Sequence, residues 1–128
     1  MTTNSLLDTH IVLWFLADHR ALSKAGRTLL KTPSNKLFAS SVSVWEIAIK
    51  ADLGKLDADI DEVCAASEPS GITTLPFDIA DAAAIAALPQ IHRDPFDRAL
   101  IAQARCRGFR FMTADRTVAQ YGSDIVSV

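Results

Sequence analysis

Four acidic residues of this sequence are placed where they could act together on one ligand: Asp8, Glu46, Asp97 and Asp115. Asp8 and Asp115 follow short apolar runs directly, Glu46 lies a few residues beyond another run, and Asp97 opens a helical pattern. If the runs are parallel strands, all four acids could face the carboxyl edge of the sheet, where open parallel sheets bind their ligands. Clustered carboxylates repel one another unless a cation is present, and hard divalent ions prefer carboxylate oxygens. The pattern therefore predicts a site for Mg²⁺ or Mn²⁺.

The segment His92–Ala104 contains two acids rather than one. Asp94 followed by Pro95 is typical of a helix N-cap with proline in the first helical position, where its missing N–H has no intrahelical partner to lose. Asp97 then lies in the first turn, at the border of an apolar stripe that begins with Phe96, and a carboxylate is rarely found there without a partner. Alternatively, both acids only cap the helix and interact favourably with its dipole.

The other acids have structural explanations as well. Asp8 and Asp115 could be the N-caps of the helices that follow them, and Ser43 with Glu46 has the Ser-x-x-Glu form of a capping box. One such acid would indicate little. Four of them, without four lysines or arginines at matching positions, favour a metal site over four independent caps.

Short apolar strands alternate with amphipathic helices along the chain. Strands are predicted at Ser5–Leu7, Leu37–Ala39, Ile72–Leu75, Phe109–Thr113 and Asp124–Val128. Helices are predicted at His10–Ala17, Leu22–Lys31, Ser43–Ala51, Asp57–Ala66, Asp78–Leu88 and from Asp94 to a stop at Gly108. This alternation is typical of an α/β sandwich with a mostly parallel sheet.

Composition predicts one globular domain that spans residues 1–128, because 128 residues of 49% hydrophobic content can bury a single core. The net charge of −2 indicates neither nucleic acid nor its absence. Cys64 and Cys106 are isolated, which argues against zinc and a disulfide framework and fits a reducing cytoplasm. We expect no signal peptide and no membrane span, since the required apolar runs are missing.

Four segments form an ordered set: LLDTHIVLW (residues 6–14), SVSVWEIAIK (41–50), HRDPFDRALIAQA (92–104) and FMTADR (111–116). Together they resemble the successive motifs of PIN-domain nucleases, over essentially the whole chain. The greatest likeness is to the VapC-type ribonuclease toxins of bacterial toxin-antitoxin pairs. The resemblance implies a PIN-like three-layer sandwich, in which helices flank a mostly parallel central sheet.

The same resemblance implies the roles of particular residues. The implied metal-binding and catalytic residues are Asp8, Glu46, Asp97 and Asp115. Thr113 and Ser41 would be polar helpers, and Asp94 would be a cap or a possible further ligand. The implied activity is hydrolysis of RNA phosphodiester bonds with Mg²⁺ or Mn²⁺. The implied partners are RNA, a cognate antitoxin that blocks the acidic groove, and a second copy of the chain in a homodimer.

Arginines supply the positive charge that RNA binding requires. With the four acids neutralised by metal, the rest of the chain has a net positive charge. The arginines from just before the third acid to just after the fourth are Arg93, Arg98, Arg105, Arg107, Arg110 and Arg116. Of these, Arg93, Arg98 and Arg116, together with Thr113, are the candidates for substrate binding. A solvated helix face explains any single arginine equally well.

Large apolar residues on the early helices have two possible roles. Trp14, Phe15 and Trp45 could serve a protein interface, or they could belong to the core. His10 and His92 could lie near the acids, but a lone histidine is more often an ordinary core or surface residue, so no catalytic role is predicted for either.

Other functions fit less well. A haloacid-dehalogenase type of phosphatase needs Asp-x-Asp after the first strand, whereas position 10 is His. A receiver domain needs a late lysine, and the last lysine is Lys55. The remaining alternative is a catalytically silent PIN-like module that binds RNA or protein.

Overall fold

The computed structural model describes residues 2–91 and 94–128, and its centre is a sheet of five strands in the order β3-β2-β1-β4-β5. The strands are β1 (Thr3–Leu7), β2 (Asn35–Ser40), β3 (Ile72–Leu75), β4 (Arg110–Thr113) and β5 (Ile125–Ser127). All neighbouring strands pair in parallel. The predicted parallel α/β sheet is therefore confirmed.

Six α-helices connect these strands in the described parts of the chain. They are α1 (Thr9–Leu16), α2 (Lys24–Lys31), α3 (Ser41–Asp52), α4 (Ile60–Ser67), α5 (Ile79–Ala84) and α6 (Pro95–Arg107). A short 3₁₀ turn at Ile85–Ala87 lies between α5 and α6, and another at Val118–Tyr121 lies between β4 and β5. None of the helices formed by residues 2–91 and 94–128 has the length and apolar character needed to cross a membrane.

Both faces of the sheet are covered. Neighbouring residues of one strand point to opposite faces, so Leu6 lies in one hydrophobic cluster and Leu7 in the other. Leu6 shares its cluster with α6, through residues such as Leu100, whereas Leu7 shares its cluster with α1, through residues such as Ile11. Helices therefore sandwich the sheet in three layers, as the sequence predicts.

The position of β1 at the centre of the sheet decides which residues meet. β1 pairs with β2 on one side, from Thr3 opposite Asn35, and with β4 on the other, up to Leu7 opposite Met112. Because the strands are parallel, the residues that follow β1, β2 and β4 all emerge at the same edge. Asp8 is the residue that directly follows β1.

Helix α6 begins and ends as its sequence predicts. The Asp94 side chain accepts hydrogen bonds from the backbone N–H groups of Phe96 and Asp97, and Pro95 occupies the first helical position. Gly108 ends the helix in the left-handed conformation, at φ +68°, which glycine adopts without the steric cost of a Cβ.

The predicted helix Asp78–Leu88 is wrong in its second half. The α-helix ends at Ala84, and a 3₁₀ turn takes its place up to Ala87. Leu88 is extended, at φ −75° and ψ 141°, because the ring of Pro89 disfavours the helical conformation for the residue before it. The last turn therefore tightens instead of continuing.

A buried acid, Asp81, joins the start of α5 to the end of α6. Arg107 donates two hydrogen bonds to it, at 3.1 Å to Oδ1 and 2.9 Å to Oδ2. Asp81 also accepts from the Asp78 backbone N–H at 2.9 Å and from Gln103 Nε2 at 3.3 Å. Burial opposes ionisation, but the contacts with Arg107 and Asp78 outweigh it and hold the pKa of Asp81 below its ordinary value.

Candidate functional site

Asp8 is fixed at the end of β1 by two hydrogen bonds. Its Oδ1 accepts from the backbone N–H of His10 at 3.1 Å, which caps α1, and its Oδ2 accepts from Thr113 Oγ1 at 2.7 Å. Only 5% of the residue is exposed. Burial raises the pKa of Asp8 above its ordinary value, although the bonds from Thr113 and His10 oppose this effect. The folded chain therefore holds a carboxylate that is incompletely compensated.

Thr113 connects Asp8 to the next acid, Asp115. Thr113 is the last residue of β4 and is fully buried. Its hydroxyl donates to Asp8 and accepts from the Asp115 backbone N–H at 3.0 Å. The Asp115 side chain in turn accepts from the backbone N–H of Thr117 at 2.9 Å. Pairing of β4 with β1 thus places two of the predicted acids side by side.

Glu46 reaches the same region from α3. It is 3% exposed, and its two oxygens have different partners: Oε1 accepts from Thr9 Oγ1 at 2.6 Å, and Oε2 contacts Lys50 Nζ at 2.5 Å. Ser43 Oγ lies 2.9 Å from the same Thr9 hydroxyl. Glu46 is therefore held between α1 and its own helix.

The capping-box interpretation of Ser43 and Glu46 is wrong. Helix α3 begins two residues before Ser43, and its N-cap is Ser40, whose side chain accepts from the Val42 backbone N–H at 3.0 Å. Ser41, predicted as a polar helper of the acids, instead accepts from the Phe77 backbone N–H at 3.0 Å. Glu46 is thus one turn inside the helix, where it has no role as a cap.

The acids surround one cavity of about 300 Å³. Its lining residues are Asp8, His10, Trp14, Glu46, Lys50, Asp94, Asp97, Ala114 and Asp115. All four predicted acids are among them. Asp94 both caps α6 and lines the cavity beside Asp97, so the structure brings together the two acids that the sequence left as alternatives.

The chemistry of this donor set fits a hard divalent cation such as Mg²⁺ or Mn²⁺. The Lys50 ammonium beside Glu46 already brings positive charge into the cavity. Within the described residues, no three His, Cys, Asp or Glu side chains are arranged to hold a metal ion directly.

Comparison with protein families assigns the chain. The model of the PIN domain family matches residues 5–123. The chain belongs to the PIN domain family. Comparison with proteins of curated function gives no significant match.

Solved structures share the fold of this PIN domain. A chain of VapBC2 from Rickettsia felis, bound to a promoter DNA fragment, has a TM-score of 0.69 at 13% identity, over 98% of each chain. A chain of DNA-bound VapBC from Salmonella typhimurium has a TM-score of 0.66 at 21% identity, over 99% of this chain and 98% of that one. A chain of VapBC-5 from Mycobacterium tuberculosis, a member of the VapBC family of toxin-antitoxin systems, has a TM-score of 0.60 at 21% identity, over 98% of each chain. At these identities the likeness shows the fold.

The arginines predicted to bind substrate differ in their surroundings. Arg98 donates from Nη1 to the Pro89 carbonyl at 2.8 Å and contacts the Tyr121 hydroxyl at 3.3 Å, so it supports the fold beside α6. Arg116 is exposed and directly follows Asp115 in the chain. Arg93, like His92, lies outside the described residues. Neither Arg98 nor Arg116 lines the acidic cavity.

The sequence analysis did not assign three residues to the acidic region of the PIN domain: Thr9, Ser43 and Lys50. The Glu46-x-x-x-Lys50 spacing is a visible helical pair, with the acid on the N-terminal side as such pairs prefer. It was available from the sequence. The contact of Thr9 with Glu46 joins residues 37 apart and depends on the pairing of β1 with β2, which the sequence alone leaves open.

Proposed function

We propose that this PIN domain is a metal-dependent endoribonuclease and the toxin of a VapC-type toxin-antitoxin pair. The observation that supports the proposal is the convergence of five acids, from four separate parts of the chain, on one cavity at the carboxyl edge of the sheet. The proposed Mg²⁺ or Mn²⁺ ligands are Asp8, Glu46, Asp97 and Asp115, with Asp94 as a further candidate. A cluster of carboxylates costs free energy unless a cation is present. Its presence therefore supports a functional site rather than an arrangement that stabilises the fold.

In this proposal the chain positions its carboxylates and water is the nucleophile. No Ser, Thr or Cys is among the described residues that line the cavity. A bound divalent ion supplies positive charge that lowers the pKa of water and stabilises charge on the phosphate oxygens. Thr113 orients Asp8, Thr9 orients Glu46, and the Thr117 backbone orients Asp115. RNA phosphates would approach from the open side of the cavity.

Metal-dependent cleavage by matched variants tests this proposal. Purified protein is incubated with structured and unstructured RNA, with Mg²⁺, with Mn²⁺ and with chelator. Asp97→Asn removes one proposed ligand, and Asp61→Asn is the control, because Asp61 also lies in the first turn of a helix but is exposed and away from the cavity. We expect cleavage by the wild type and Asp61→Asn only with metal, and none by Asp97→Asn.

Two results would contradict the nuclease proposal. Equal cleavage by Asp97→Asn and the wild type would identify a contaminating ribonuclease. Absence of cleavage of every RNA and DNA offered would favour the silent binding module instead, and RNA or partner binding without turnover would then be the activity to measure.

A groove beside the acidic cavity supports the antitoxin part of the proposal. This groove of about 500 Å³ lies between α1, α4 and the segment before α4, and it shares His10 and Trp14 with the acidic cavity. Apolar residues such as Val63 line it together with the exposed acids Asp59 and Glu62. An amphipathic segment with basic residues fits this lining, and an occupant of the groove would reach the cavity entrance.

A groove variant tests the antitoxin proposal. Val63→Asp places a charge among the apolar groove residues, so we expect it to keep RNA cleavage and escape inhibition by a candidate antitoxin. Inhibition equal to that of the wild type would exclude this groove as the contact.

The homodimer is also proposed. Trp45 of α3 and Leu53, the C-cap of α3, are 59% and 61% exposed. Exposed apolar surface of this kind supports a contact with a second copy if the two side chains form one patch. Sedimentation of the wild type beside Trp45→Ser measures it: we expect a dimer that the substitution weakens. A monomer at all concentrations would contradict the proposal.

A further inference from the structure

Glu46 is one of the acids that line the cavity, and its carboxylate is firmly held. Both of its oxygens have close partners, with Thr9 Oγ1 at 2.6 Å from Oε1 and Lys50 Nζ at 2.5 Å from Oε2. The carboxylate is almost completely buried. A buried carboxylate needs either a proton, a positive charge or a metal. In this structure, the positive charge comes from Lys50.

Lys50 is placed among acids rather than beside one. Its side chain lines the same cavity as Asp8 and Asp115. The contact with Glu46 and the nearby charges of Asp94 and Asp97 raise the pKa of Lys50, so this side chain is a cation at neutral pH. Its ammonium lies 5.6 Å from the centre of the Phe96 ring, within the range of a cation-π contact. The aromatic ring thus helps to hold the charge over the cavity.

We propose that Lys50 is the resident counter-cation of the acidic cavity, and that a divalent ion reaches Glu46 only by displacing the Lys50 ammonium. This inference rests on the proposed metal site. The ammonium and a divalent ion repel each other, and both would bind the same carboxylate, that of Glu46. At a few ångströms, in surroundings less polar than water, such repulsion is large compared with thermal energy.

The pairing of Lys50 with Glu46 has two consequences, one for the metal-free protein and one for metal binding. First, Lys50 stabilises the metal-free fold, because it neutralises a carboxylate that would otherwise be buried and uncompensated. Second, Lys50 weakens metal binding, since part of the binding free energy is used to break the Glu46–Lys50 pair. The same side chain therefore raises the stability of the metal-free protein and lowers its metal affinity.

Metal titration of lysine variants separates these effects. Mn²⁺ is titrated calorimetrically, at one fixed pH, into the wild type, Lys50→Met, Lys50→Arg and Lys24→Met. Methionine retains the length and helix propensity of lysine without its charge, and Lys50→Gln is a second neutral variant with a polar end. Lys24 is an exposed lysine of α2 that lies away from the cavity, so Lys24→Met controls for the loss of a positive charge.

We expect Lys50→Met and Lys50→Gln to bind Mn²⁺ about tenfold more tightly than the wild type, since removing a nearby like charge favours the ion. Lys50→Arg and Lys24→Met should bind like the wild type. In chelator, both neutral Lys50 variants should unfold at a temperature several degrees lower, and Mn²⁺ should restore most of the difference. Lys24→Met should unfold like the wild type.

The inference on Lys50 and the proposed metal site fail in different ways. If the wild type binds Mn²⁺ and the neutral Lys50 variants bind it equally or more weakly, Lys50 is not the competitor and the inference is overturned. If no protein in the series binds Mn²⁺ saturably, the metal site itself is refuted. If only the neutral Lys50 variants bind detectably, the inference is supported in its strongest form.

Discussion

Asp8 and Asp81 are both buried aspartates near helix starts, but their surroundings are opposite. Asp81 has two hydrogen bonds from the Arg107 guanidinium and further donors from Asp78 and Gln103. Within the described residues, Asp8 accepts hydrogen bonds from the Thr113 hydroxyl and one backbone N–H, and His10 Nδ1 lies 3.9 Å away. Other acids line the cavity around it. The pKa is accordingly below its ordinary value for Asp81 and above it for Asp8.

We interpret this difference as that between a carboxylate that stabilises the fold and one that belongs to the proposed metal site. The Asp81 network compensates its charge within the protein, so nothing else needs to bind there. The acidic cavity is lined by several carboxylates, with Lys50 as a counter-charge that we propose a divalent cation displaces. Burial alone therefore does not identify a functional carboxylate, whereas burial without full compensation makes it a candidate.

The largest expected effect concerns activity. Asp8→Asn should lower metal-dependent RNA cleavage by at least about 100-fold, the scale on which loss of one charge-stabilising group affects turnover. Asp81→Asn should change the activity of the folded protein by no more than about twofold. Steady-state cleavage, corrected for the folded fraction by circular dichroism, measures both. A large loss in Asp81→Asn with small loss in Asp8→Asn would reverse the assignment of the two regions.

The order should reverse for stability. Asp81→Asn should lower the free energy of unfolding by about 2 kcal/mol, because buried donors lose their charged acceptor. Asp8→Asn should change it by less than about 1 kcal/mol in chelator, since one hydrogen bond is weakened while the cost of burying a charge disappears. Urea unfolding measures both. Asp124→Asn, which affects a half-exposed pair with Arg105, is the control and should cost little.

The two aspartates should also contribute to stability in opposite directions as pH changes. The folded pKa of Asp81 is below the ordinary value of 3.8, so its contribution is present above about pH 4 and is lost as the pH falls through the folded pKa. The folded pKa of Asp8 is raised, so its contribution is greatest at low pH and is lost as pH rises through that value. Urea midpoints of the wild type and Asp81→Asn should therefore converge on acidification. A constant difference would contradict the prediction for Asp81.

The smallest expected effect concerns RNA binding. It distinguishes an exposed arginine, Arg116, from Arg98, which is engaged within the fold. Arg116 is exposed, so Arg116→Ala should weaken RNA binding severalfold and lower the salt-dependence slope by about 1. Arg98 is engaged with Pro89 and Tyr121, so Arg98→Ala should lower the unfolding temperature and leave the slope unchanged. Fluorescence anisotropy with labelled RNA, measured at several salt concentrations, checks both. Equal slopes for the two variants would remove Arg116 from the proposed RNA contact.

Local patterns predicted most of the fold. The strand Ile72–Leu75 has the predicted bounds, and Asp94 caps its helix as predicted. The failures occur where neighbouring residues override helix propensity: Pro89 shortens the alanine-rich helix, and the Ser40 cap starts α3 earlier than expected. Each of these signals is short-range, and the prediction gave them too little weight.

Contacts between distant segments were less predictable. The sequence placed the acids at one edge because parallel strands share it, and the cavity includes all four. The pairs that distinguish the two regions, Thr113 with Asp8 and Arg107 with Asp81, join residues 105 and 26 apart. Strand order and side-chain direction determine such pairs, and neither follows from the spacing of residues in the chain.

The distance of 105 residues between Asp8 and Thr113 also affects when the site forms during synthesis. A growing chain makes Asp8 almost at once, but β4 can join β1 only after the segment up to Thr113 has been made. Contacts between such distant residues form late, because a long loop must close first. A ribosome-bound chain that stops before β4 therefore lacks Thr113 and Asp115 beside Asp8. The proposed active site is therefore incomplete until translation has passed these residues.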